Sequence, residues 1–119
     1  MTILVVEDEA IVSILFEDVL MELGCAHVWL ASRVGTALAL LRERRPDAAV
    51  LDVNLAGEMV YPVAAQLVAD GIPFIFTTGY GNSGIPPEWS MIPAVQKPFG
   101  RDSLARALRL ALGDSALGL

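Results

Sequence analysis

The chain is predicted to be an α/β domain built on a five-stranded parallel sheet with helices on both faces, and three observations carry that expectation. Short apolar runs rich in β-branched residues alternate with longer stretches of helical periodicity. The runs are continuous rather than alternating apolar with polar, as in strands buried on both faces. Glycines and prolines stand where the intervening helices begin and stop.

The first run, Thr2-Ile3-Leu4-Val5-Val6, precedes Val12, Leu15, Val19, Leu20 and Leu23 at helical spacing, with Gly24 placed to end that helix. The second, His27-Val28-Trp29-Leu30, precedes Val34, Ala37, Leu38 and Leu41, with Pro46 just after Arg44-Arg45. The third, Ala48-Ala49-Val50-Leu51, is followed by Val60, Val63, Ala64, Leu67 and Val68; Pro62 suits the first turn of that helix and Gly71 its end. Pro73-Phe74-Ile75-Phe76-Thr77 is the fourth run. Ala94-Val95-Gln96 is the fifth, before a helix marked by Leu104, Leu108, Ala111 and Leu112. Between these two runs, "GYGNSGIPPEWSM" (Gly79 to Met91) carries too much glycine and proline for more than a short or distorted fourth helix. The final "GDSALGL" reads as a frayed tail.

A chain of 119 residues fits one domain, 1–119, and can bury roughly 65% of the surface its unfolded form exposes. No linker, repeat or low-complexity tract suggests an effector domain. The single cysteine, Cys25, excludes an internal disulfide and suits a reducing, cytoplasmic compartment. "MTILVVEDEA" turns acidic too soon for a signal peptide, and no purely apolar stretch reaches the ~18 residues a membrane span needs. Fourteen acidic against eight basic residues give a net charge of -6, which argues against nonspecific nucleic-acid binding. An anionic ligand would need a local cation or metal.

Open parallel sheets bind ligands beyond the carboxyl ends of their strands. Those ends carry Glu7, Asp8 and Glu9, then Asp52, then Thr77 and Thr78, then Lys97. Each has an ordinary alternative: the acidic trio can charge-complement a helix start, Asp52 can close a turn, Thr78 can be an idle strand-end hydroxyl, and Lys97 a solvated surface charge. Their joint occurrence at one edge favours a shared site. Converging carboxylates repel unless a cation joins them, and an all-oxygen donor set without nearby histidine or cysteine favours a hard ion such as Mg²⁺. Lys97 and the Thr78 hydroxyl complete a site able to accept a phosphoryl group.

These motifs resemble the receiver domains of two-component response regulators, along the entire chain. "VVEDE" (Val5 to Glu9) is similar to that family's acidic pair, "LDVNLAGE" (Leu51 to Glu58) to its phosphoacceptor loop, "TTGY" (Thr77 to Tyr80) to its switch hydroxyl, and "KPF" (Lys97 to Phe99) to its lysine before a typically cis proline. The spacings agree, with Asp52 lying 44 residues after Asp8 and 45 before Lys97. The resemblance implies a doubly wound, flavodoxin-like (βα)5 fold with strand order 2-1-3-4-5. It implies that Asp52 takes a phosphoryl group from a histidine kinase or phosphotransfer protein, that Glu7, Asp8, Asp52 and the Asn54 backbone carbonyl hold Mg²⁺, and that Thr78 and Lys97 bind the phosphoryl oxygens. "PFIFTTGYG" further resembles stand-alone alphaproteobacterial receivers with a Phe-x-Thr-Gly fourth strand, whose kinases are often of the HWE type.

Departures are informative. The position three before the lysine, often Tyr or Phe in the family, is Ala94, and the small residue after the threonine is Gly79. Output is therefore expected to involve ordering of the Gly79 to Met91 segment. Tyr80 either overhangs the acyl phosphate or faces solvent, Trp89 is either a packed anchor or an exposed contact, Trp29 packs under a helix, and His27 is an ordinary edge or surface histidine. The expected role is a single-domain regulator acting through an unidentified protein target or draining phosphoryl groups, as a monomer or weak homodimer, without nucleic acid or membrane. Catalysis would be limited to self-dephosphorylation. A degenerate, phosphorylation-independent docking module is the alternative. An aspartyl phosphatase would need a second general acid or a cap domain, and neither is evident.

Overall fold

The computed structural model describes residues 1–79 and 84–113. Five parallel strands, β1 (Thr2–Val6), β2 (His27–Ala31), β3 (Ala48–Asp52), β6 (Phe74–Thr78) and β7 (Ala94–Gln96), form one sheet in the order β2-β1-β3-β6-β7. Counting these five alone, that is the expected 2-1-3-4-5. A two-strand hairpin, β4 (Asn54–Leu55) and β5 (Glu58–Met59), sits apart from the sheet and was not anticipated.

Four α-helices are present among the described residues. On one face α2 (Val34–Glu43) and α3 (Tyr61–Ala69) bury Ala37, Val63, Ala64 and Leu67 against Leu4, Leu51 and Phe76. On the other, α1 (Ala10–Glu22) and α4 (Arg101–Leu112) bury Phe16, Leu20, Leu104 and Leu108 against Ile3, Val5, Val50 and Ile75. Each of the larger side chains among these contributes about 1.5–3 kcal/mol and the alanines less, so the two cores together set the layered form. Gly24 and Gly71 end their helices with positive φ (99° and 70°), and Pro62 stands in the first turn of α3.

Not every expected element is as buried as its pattern implied. β2 is an edge strand with one neighbour; His27 is exposed and Leu30 is 42% exposed, because an edge strand lacks the second neighbour that covers β1 and β3. Leu15 and Val68, though at helical spacing, face outward, whereas Phe16 is fully buried. Between β6 and β7 the described residues hold a short 3-10 turn at Pro87–Trp89 and no α-helix, consistent with the expected distortion. Tyr80 and the tail beyond Gly113 lie outside the described residues.

Candidate functional site

The carboxyl edge of the sheet opens into a cleft of about 490 Å³ lined by Asp8, Asp52, Asn54, Thr78, Gly79 and Lys97, among others. β1 delivers Glu7 and Asp8, β3 ends on Asp52, β6 on Thr78, and Lys97 directly follows β7. Strand register explains the convergence: Asp52 pairs with Thr77 and Thr78 with Gln96, so neighbouring parallel strands end at nearly one level.

Lys97 is the electrostatic centre. Its Nζ lies 2.7 Å from Glu7 Oε1 and 3.3 Å from Asp52 Oδ2, with its side chain 19% exposed. The reading of Lys97 as a solvated charge therefore fails. Glu7 does not cap α1 either: it is buried, accepts the Glu9 amide at 3.2 Å, and puts its other oxygen on Lys97. Burial, the neighbouring Glu7 carboxylate and a hydrogen bond with it push the Asp52 carboxyl up to about 7, although Lys97 opposes the rise. For Lys97, burial pulls its pKa down, but hydrogen bonding to Glu7 and the charge of Asp52 outweigh it and hold the ammonium above its ordinary value.

The carboxylates of Glu7, Asp8 and Asp52 offer oxygens within 4.8 Å of one another. Three carboxylates against one ammonium leave two negative charges, and the donors are all hard oxygens. That chemistry fits a divalent ion of the Mg²⁺ type. Asn54 borders the same cleft, with its amide 3.4 Å from Asp52 Oδ1. All of the singled-out residues thus meet at one edge, and the Lys97–Pro98 bond beside them is cis.

Sequence reasoning missed the hairpin that walls one side of the cleft. Ala56 and Gly57 both have positive φ (55° and 96°), making the two-residue turn that right-twisted hairpins favour. Asn54 Oδ1 accepts the Gly57 amide at 2.6 Å, and Glu58 Oε1 accepts the Val34 amide at 3.0 Å, satisfying the start of α2 from 24 residues away. "NLAGE" carried a turn signal in its asparagine and glycine. Nothing local marked Glu58, whose partner is set by the fold. Trp89 is a packed residue rather than a free contact, and Trp29 is half-buried with the Arg44 guanidinium 5.6 Å above its ring.

Comparison with known proteins agrees with this geometry. The family model for the response regulator receiver domain matches residues 3–109. Among solved structures, SdrG from Sphingomonas melonis Fr1 is 41% identical, with 94% of this chain and 96% of that one covered at a TM-score of 0.85. The BeF3-activated conformation of SdrG from Pseudomonas melonis Fr1 is 40% identical, covering 93% and 95% at a TM-score of 0.82. The receiver domain of the Erythrobacter litoralis response regulator PhyR is 26% identical, covering 93% and 88% at 0.77. No curated protein matches the chain. The strand order, the shared polar edge and a match over nearly the full length place this chain in the response regulator receiver-domain family.

Proposed function

We propose that the chain is a phosphoacceptor: Asp52 takes a phosphoryl group from a phosphohistidine of a kinase or phosphotransfer protein. The observation that carries this reading is the Lys97 ammonium held 3.3 Å from Asp52 in a cleft that also gathers Asp8 and Thr78. An Asp52 oxygen attacks phosphorus as the phosphorus–nitrogen bond breaks and its electron pair leaves on the donor imidazole. Lys97 and the Thr78 hydroxyl bind the phosphoryl oxygens, and burial keeps competing charges away. Glu7, Asp8, Asp52 and the Asn54 carbonyl would hold Mg²⁺, which when bound supplies charge neutralisation between carboxylates and phosphoryl group.

Within this reading the protein acts in the cytoplasm, as a monomer or weak homodimer. It signals by protein contact or drains phosphoryl groups, and its only catalysis is hydrolysis of its own acyl phosphate. No described helix is long and apolar enough to cross a membrane, and the net charge of -6 disfavours nucleic acid. The receiver-domain match supports a kinase or phosphotransfer partner. Incubation with acetyl phosphate and Mg²⁺ tests the chemistry by intact-protein mass. One phosphoryl group per chain is expected, lost in Asp52→Ala. Labelling that persists in Asp52→Ala, or none in the unmodified chain, overturns the reading and in the latter case favours the docking module.

A further inference from the structure

We propose that Trp89, rather than a residue at position 94, is the ring through which the state of the phosphoacceptor site is read; the proposal rests on the phosphoacceptor reading. Position 94 lies on β7 directly beside Phe76 of β6 in the register, so a ring there would sit against Phe76. Alanine brings no ring there, and the ring that meets Phe76 edge-on comes instead from Trp89 in the 3-10 turn. Both Ala94 and Trp89 pack against the core that contains Phe76.

Trp89 closes a four-ring cluster. Its ring lies 6.1 Å from Phe76 edge-on, 6.2 Å from Phe74, and 6.0 Å from Tyr61 with planes only 13° apart. Tyr61 opens α3 and also meets Phe76 edge-on at 6.0 Å. Phe76 is fully buried and stands two residues before Thr78, hence on the same side of β6.

A phosphoryl group on Asp52 that draws the Thr78 hydroxyl shifts the end of β6. Phe76 is fully enclosed, and close-packed interiors pass displacement to their neighbours. The neighbours are Tyr61 and Trp89. A second observation marks the resting cluster as able to repack: the Tyr61 hydroxyl is buried with no hydrogen-bond partner among the described residues. A partnerless buried hydroxyl is unfavourable, so an arrangement that lets it reach water competes with the present one. Because Trp89 is stacked on Tyr61, repacking carries residues 84–92 and the exposed Met91 with it.

The test uses Trp29→Phe, which leaves Trp89 as the sole indole, with Mg²⁺ and beryllofluoride added. Acetyl-phosphate labelling of a separate aliquot of the same protein, without beryllofluoride, is read by mass. The expected result is one phosphoryl group per chain together with a change in Trp89 emission that saturates at one beryllofluoride per chain, and altered amide exchange across residues 84–92. Labelling with unchanged Trp89 emission overturns this proposal and leaves the phosphoacceptor reading intact; absence of labelling overturns both. Trp89→Phe, which keeps a ring and the fold, is expected to retain the exchange response. Ala94→Tyr, which competes for the same space, is expected to red-shift resting Trp89 emission in the Trp29→Phe background. An unshifted spectrum in the folded double variant places Trp89 outside that space and overturns the proposal.

Discussion

Two segments frame the cleft and are held in different ways. The segment after β3, Asn54–Met59, is tied by hydrogen bonds within itself (Asn54 Oδ1 accepting from the Gly57 amide) and across to α2 (Glu58 accepting from the Val34 amide), and its base is closed by the Val60 N–H donating to the Val53 carbonyl at 3.1 Å. Along residues 86–92, the backbone bonds of Trp89, Ser90 and Ile92 all go to residues three positions back. This turn meets the rest of the molecule through apolar side chains, Trp89 foremost, with Ile92 and the neighbouring Ile85 packed on the same core. Hydrogen bonds are directional and specify one geometry, whereas apolar contact is non-directional and permits alternatives. A hydrogen-bonded wall next to Asp52 and an apolar, repackable one beyond Thr78 suit the proposed roles of phosphoacceptor and readout.

The comparison breaks most severely at Phe76. Phe76→Ala is expected to cost about 3–5 kcal/mol in urea unfolding, and to speed amide exchange across residues 84–92 well before the 54–59 hairpin responds. Equal loosening of both segments would remove the distinction.

The next effect in size is a pH dependence centred on Asp52, from which the hairpin departs. Its carboxyl is raised from 3.8 to about 7 in the folded ion-free protein, so the native state binds a proton that the unfolded chain releases between those values. Its contribution to stability is therefore full below 3.8 and lost as pH rises through about 7. Urea midpoints in EDTA should fall between pH 6 and pH 8. Asp52→Asn should reduce that slope and be the more stable protein at pH 8, by about 2 kcal/mol. Mg²⁺ should narrow the gap at pH 8, since it offsets the same charge.

Smaller changes sharpen the picture of the hairpin. Glu58→Ala removes the acceptor for the Val34 amide and should cost about 1 kcal/mol, with α2 fraying at its start as seen by amide exchange. Ala56→Gly relieves a left-handed alanine (φ 55°) and should stabilise by up to about 1 kcal/mol in thermal unfolding. A destabilised Ala56→Gly would mean that chain entropy outweighs the strain.

Much of this arrangement was legible before any coordinates. Continuous apolar runs located the strands because a strand covered on both faces has no use for polar alternation. Asp8, Asp52, Thr78 and Lys97 could be grouped because each follows an apolar run and parallel strands deliver their ends to one edge. Periodicity erred where it could not tell inside from outside: Leu15 and Val68 keep helical spacing yet face solvent, and His27 and Leu30 lie on an edge strand.

The sequence by itself thus determined the layered fold and which polar residues share one edge, since these follow from local periodicity and strand-end position, while the strand order was implied by the family resemblance. Only the tertiary structure decided that Glu7 grips Lys97, that Glu58 serves α2 from the hairpin, and that Trp89 joins Ala94 in covering the core around Phe76. Those pairings join residues 90, 24 and 5 positions apart through different elements. Their partners are chosen by which side chains the packed layers bring within ångströms, and no local pattern encodes that distance.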